Sequence, residues 1–87
     1  MGRRSRGDSH EIPLAPIERI LRQEGGYRVS EEAARRLRDF IERLARDIAR
    51  ESIEMAKHAK RRTVKSEDVE MAIRRFLYAR WAATLGA

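Results

Sequence analysis

Residues 30–59 read SEEAARRLRDFIERLARDIARESIEMAKHA, a stretch with neither Gly nor Pro. Its apolar residues fall at Ala33, Ala34, Leu37, Phe40, Ile41, Leu44, Ala45, Ile48, Ala49, Ile53, Met55 and Ala56, the three- and four-residue spacing of a helical stripe. Ser30 is a capping residue type, and Glu31 and Glu32 place negative charge in the first turn, where the helix dipole favours it. Glu31 with Arg35, Glu32 with Arg36, Asp39 with Arg43 and Glu42 with Arg46 stand at i,i+4 in the favourable order. Each such pair supports an exposed helix face by about 0.2–0.5 kcal/mol. The stretch therefore predicts one helix running to about Ala59, roughly 43 Å long at 1.5 Å per residue.

Shorter elements flank it. A first helix is expected near Pro16, since a missing N–H is harmless in the opening turn, with Leu14, Ile17, Ile20 and Leu21 on one face and Gly25 and Gly26 as its stop. Tyr27, Arg28 and Val29 form an extended link. After the loop Lys60-Arg61-Arg62-Thr63-Val64-Lys65, Ser66 is expected to cap a third helix whose stripe is Val69, Ala72, Ile73, Phe76 and Leu77, continuing to Gly86. The fold class is all-α: short helix, long central helix, short helix. Helices of roughly 15 and 25 Å leave the middle of the long one bare. Phe40, Ile41, Leu44 and Ile48 lie there. Covering each such side chain stabilises by about 1.5–3 kcal/mol, against about 5–15 kcal/mol for a whole domain. The pattern demands a second long helix crossing at these four residues, the dimer core, and a two-fold pair then brings the first loop of one chain to the second loop of its partner. The triplets Tyr27-Arg28-Val29 and Thr63-Val64-Lys65 are β-prone enough to pair there as miniature strands.

Composition bounds the function. The 87 residues make one domain at most, and a domain of this size buries only about 60% of its unfolded surface. With no Cys, neither a disulfide framework nor a thiolate metal site adds stability, and a reducing interior is expected. No apolar stretch serves as a secretory core or approaches the ~20 residues of a membrane span. The formal net charge is +6, and its placement is informative. Arg3, Arg4 and Arg6 face only Asp8 in the first ten residues, acids balance bases from 11 to 59, and Lys60, Arg61, Arg62 and Lys65 form a loop without acids. A polyanionic partner is implied. Residues 1–11 are expected to be a disordered basic tail. Abundant charge, no Asn and a single Gln, Gln23, match a heat-adapted protein held by ion-pair networks. Nothing points to an enzyme: there is no Gly-rich phosphate loop, and His10 and His58 are too far apart in sequence to share a helical metal face. No cofactor, metal or small-molecule substrate is expected.

The stretch IPLAPIERIL, the Arg28-Val29-Ser30 junction, and the run from Ala56-Lys57-His58-Ala59 through RRTVK and SEDVEMAIRRF resemble the archaeal histones, over about Ile12 to Phe76. The resemblance implies a histone fold at 12–76, flanked by the tail at 1–11 and a helical extension at 77–87. It implies a homodimeric handshake that binds the backbone of double-stranded DNA and assembles with further dimers into a superhelix, associated with the chromosome in the cytoplasm. By that likeness Arg19 and Arg28 reach toward the minor groove, Arg62, Thr63 and Lys65 meet phosphates, and Ser30 lies near the amide end of the central helix. Arg61 and Asp68 form an ion pair bracing the second loop. Met55, His58, Asp68 and Met71 build the contact between dimers, with His58 of one chain meeting Asp68 of another, and Gly25 lets superhelical turns approach. Arg inserted in an inward-facing minor groove, with helix N-termini and loop cations on phosphates, binds duplex without reading bases.

The chain departs from the family's minimal members at both ends, in the arginine tail and in Leu77–Ala87. The extension is expected to lengthen the third helix and pack Tyr78, Trp81 and Leu85 against its own or a neighbouring dimer, or else to cap polymerisation. A histone-fold subunit of a transcription regulator, paired with a different chain, is the alternative function.

Overall fold

The computed structural model describes residues 10–84. Among them are three helices and no strand: α1 (Leu14–Gly25), α2 (Glu31–His58) and α3 (Ser66–Thr84). The short-long-short order follows the sequence, with α2 about 42 Å long over its 28 residues. Two compact units divide within α2, the first ending at Leu44 and the second beginning at Ala45.

In the first unit, α1 starts at Leu14, two residues before the expected Pro16. Pro13, in extended conformation, occupies the cap position, and Pro16 falls third in the helix, where its missing N–H still has no intrahelical acceptor to lose. The stop belongs to Gly26 alone: its φ of 67° is left-handed and its N–H donates to the Arg22 carbonyl at 2.7 Å. Gly25 is the last helical residue. Ile17 and Ala34 are buried, while Ile20, expected on the inner face of α1, is exposed.

The segment leading into α1 is tied to α2. Glu42, itself buried, accepts from the N–H groups of Glu11 at 3.0 Å and Ile12 at 3.4 Å, and His10 Nδ1 lies 3.6 Å from it. Arg38 donates to Asp39 at 3.0 Å and to the Ile12 carbonyl at 3.4 Å. His10 and Glu11, assigned to the tail from sequence, thus lie on the helix; residues 1–9 of that tail are outside the described residues.

In the second unit the buried positions other than Asp68 are small: Ser52, Ala56 and Ala72. Ser52 Oγ donates back to the Ile48 carbonyl at 2.7 Å, which satisfies a hydroxyl that would otherwise be unpaired in the interior. Arg75 of α3 reaches Glu51 of α2 at 2.9 Å. Leu85 and the side chain of Trp81 lie outside what the structure describes; Tyr78 and Leu77 are exposed.

Because Gly26 is left-handed and Gly25 is helical, Gly26→Ala should destabilise the protein by about 1–2 kcal/mol. Gly25→Ala brings a Cβ to 3.3 Å from Cδ1 of the exposed Tyr27 ring. That ring can move aside, so the substitution should be neutral or stabilising by up to about 1 kcal/mol through helix propensity. Urea midpoints of the two variants test the contrast.

Candidate nucleic-acid interface

The basic loop between α2 and α3 is built by its backbone and one ion pair. Helix α2 ends with Lys60 in the left-handed region, at φ 59°. The Arg61 N–H donates to the Ala56 carbonyl at 2.9 Å and the Lys60 N–H to the Lys57 carbonyl at 2.9 Å. This double return is the Schellman arrangement, which satisfies the last helical carbonyls. A left-handed conformation costs an L-residue roughly 1–2 kcal/mol, so glycine is the usual occupant.

Arg61 then turns inward. Its Nη1 and Nη2 donate to Oδ2 and Oδ1 of Asp68 at 2.9 and 3.0 Å, and Nη1 also reaches the Thr63 carbonyl at 2.9 Å. The paired geometry matches a planar guanidinium to a planar carboxylate. Asp68 is only 4% exposed. It takes a third bond from the Lys65 N–H at 2.8 Å. That bond corrects the expected start of the third helix. The Lys65 carbonyl accepts from the N–H groups of Asp68 and Val69, so Lys65 holds the cap position and Ser66 is the first helical residue. Lys65 has no side-chain acceptor, so Asp68 closes the N-terminus from the third helical position, the returning half of a capping box.

The Arg61 guanidinium, with the Lys65 N–H, lowers the Asp68 carboxyl to about 2. Of the four loop cations, Arg61 is thereby neutralised within the fold. Arg62, Thr63 and Lys65 remain with exposed side chains.

The other expected residues are placed as follows. In the first unit Arg19 and Arg28 are exposed, and Ser30 Oγ accepts from the Ala33 N–H at 3.0 Å, capping α2. In the second unit His58 is exposed with Nδ1 3.2 Å from the Glu54 carbonyl, Met55 is half-buried and Met71 exposed. Along α2, Phe40 is 53% exposed, and Ile41, Leu44 and Ile48 are half-buried. The structure thus brings Arg61 to Asp68 within one chain, whereas His58 and Asp68 are expected to meet between chains. Sequence reasoning missed the left-handed Lys60 and the anchoring Glu42. The acid three residues after Lys65 was the available signal for the start of α3.

The sequence profile of the histone-like transcription factor (CBF/NF-Y) and archaeal histone family matches residues 10–73. The chain belongs to that family. The histone fold is its architecture: a short helix, a long central helix and a third helix that here continues past the matched region to Thr84. Among similar proteins, "Probable archaeal histone 3" of Methanocaldococcus jannaschii is 52% identical over 64 residues, 74% of this chain and 96% of the relative. One of the subunits of the archaeal histone HAN1 of Thermococcus zilligii is 45% identical over the same coverage.

A carboxyl held low by folding contributes stability that is fully present above its unfolded value near 3.9 and is lost as pH falls through the folded value of about 2. Amide exchange in residues 60–68 should therefore accelerate between pH 4 and 2 in the wild type. Asp68→Asn should abolish that acid step and lower the melting temperature at pH 7 more than Glu70→Gln, which breaks an exposed pair with Arg74.

Proposed function

We propose that this histone-family chain pairs with a second copy through the middle of α2, and that the pair wraps double-stranded DNA by its backbone without catalysis. Further dimers assemble on the DNA into a nucleosome-like or extended superhelix, associated with the chromosome in the cytoplasm. The observation that carries the reading is the second loop. Its polar backbone is closed internally by Arg61 and Asp68, and Arg62, Thr63 and Lys65 are left facing solvent. Cations on a braced loop meet phosphates with little conformational entropy to lose.

In a two-fold pair, Arg28 and Ser30 of one chain approach the second loop of the other. The α2 amide end then supplies backbone donors beside the loop cations, and Arg19 and Arg28 enter the minor groove. The dimer core is Phe40, Ile41, Leu44 and Ile48. Contacts between dimers use Met55, His58, Asp68 and Met71. In Asp68, Oδ1 holds one guanidinium bond and retains a lone pair for His58 of a neighbouring dimer. Gly25, exposed at the end of α1, admits close approach of the next superhelical turn.

A second reading rests on the family's description, which joins histone-like transcription factors (CBF/NF-Y) to archaeal histones. The chain would then pair with a different histone-fold chain and act in regulation. Light scattering of the purified chain separates the two, a dimer supporting the first and a monomer the second.

Arg62→Ala should weaken binding to unrelated duplexes alike, by about tenfold in moderate salt, because each pair loses two phosphate contacts. Loss confined to particular sequences would contradict backbone recognition. Nuclease digestion of the wild-type complex should leave fragments rising in equal steps, one per added dimer. A chain ending at Phe76 should change the number of steps, since α3 continues beyond that point with Leu77 and Tyr78 exposed.

A further inference from the structure

The left-handed residue that ends α2 is a lysine, and the turn it forms makes no use of its side chain. Both backbone bonds of the turn at Lys60 use N–H and carbonyl groups that any residue supplies. Among the described residues its ammonium takes part in no ion pair, and the side chain is exposed. One structural reason for a cation at this place would be to offset the negative end of the helix dipole. Lys57 already stands in the last turn, in ordinary helical conformation, and serves that purpose without strain. Glycine would relax the backbone at Lys60 and asparagine would tolerate it. Strain that is retained where the fold has no use for the side chain marks a functional position.

We propose that Lys60 is a phosphate-binding residue of the second loop, added to Arg62, Thr63 and Lys65 and resting on the same reading of that loop. The geometry explains why a cation is wanted there. Arg61 is drawn inward to Asp68 and the Thr63 carbonyl, so it leaves a gap in the outward positive charge between α2 and Arg62. Lys60 stands immediately before that gap, on the rigid Schellman turn, and its flexible stem acts as a point charge toward phosphate oxygens. A two-fold pair presents the residue twice.

The test compares Lys60→Gly, Lys60→Asn and Lys60→Arg with the full wild-type chain, titrated on a mixed-sequence duplex across a series of salt concentrations. Lys60→Gly and Lys60→Asn should lose about tenfold in affinity, and the slope of log affinity against log salt should fall by about 1.8 per dimer, two phosphate contacts at roughly 0.9 each. Lys60→Arg should keep both affinity and slope. Lys60→Gly should also melt about 2–6 °C higher at equal protein concentration, showing that weaker binding does not come from a weaker fold. Gly and Asn variants that match a duplex-binding wild type in affinity and slope would overturn the assignment of Lys60 alone. A wild type that ignores duplex would overturn the proposed function, and this assignment with it.

Discussion

The constraint on which the structure depends is that one chain cannot close its own apolar surface. Among the described residues the buried apolar set is Ile17, Ala34, Ala56 and Ala72, of which only Ile17 is larger than alanine. Phe40, Ile53, Ile73 and Met71 are all at least 40% exposed. Small domains are marginal even with well-filled cores, and burial of each large side chain is a substantial fraction of a domain's net stability. Such a distribution is intelligible when a partner supplies the missing side of the core. The middle of α2 carries part of that uncovered surface: Phe40 is 53% exposed, and Ile41, Leu44 and Ile48 are only half-buried.

Within each unit, a buried carboxylate on a helix fixes a piece of non-helical chain. Glu42 collects the N–H groups of Glu11 and Ile12 ahead of α1, and Asp68 collects the Lys65 N–H ahead of α3 together with the Arg61 guanidinium. A buried charge is costly unless it is fully hydrogen-bonded, so either anchor specifies its loop: moving the loop would strand the acid. The order of these links is set by elements that need no partner, which is consistent with a protein whose tertiary core closes only on association.

Features that depend on local pattern were legible in the sequence. The α2 span, the Ser30 cap and the left-handed stop after α1 follow from residue type and spacing, and the structure places each within a residue or two of expectation. What was hidden depends on competition between local and longer-range partners. Ser66 has the residue type of a cap for α3, but Asp68 takes the capping task because its carboxylate is already held by Arg61. His10 and Glu11 read as tail because residues 1–11 carry no apolar pattern; their partner Glu42 is about thirty residues away. Lys60 gave no signal, since lysine carries no preference for the left-handed region. The pairing of Arg61 with Asp68 was legible through the resemblance to archaeal histones, and spacing alone did not reveal it.

The distribution of charge explains how a protein with 20 basic residues can carry a localised positive surface. Along the helices, acids hold many of the arginines: Arg35 on Glu31, Arg38 on Asp39, Arg50 on Asp47, Arg74 on Glu70 and Arg75 on Glu51. Exposed pairs of this kind add little stability singly, but they cancel the far field of the faces that bear them. What remains is concentrated where the helices stop. Glutamine and asparagine are the side chains that pair bidentately with adenine, and this sequence holds one Gln and no Asn. Charge gathered at loops, with few base-reading amides beside it, supports recognition of the duplex through its phosphates and groove width. Selectivity among sequences would then arise from how readily each bends, a property of the DNA that the protein can exploit without touching a base.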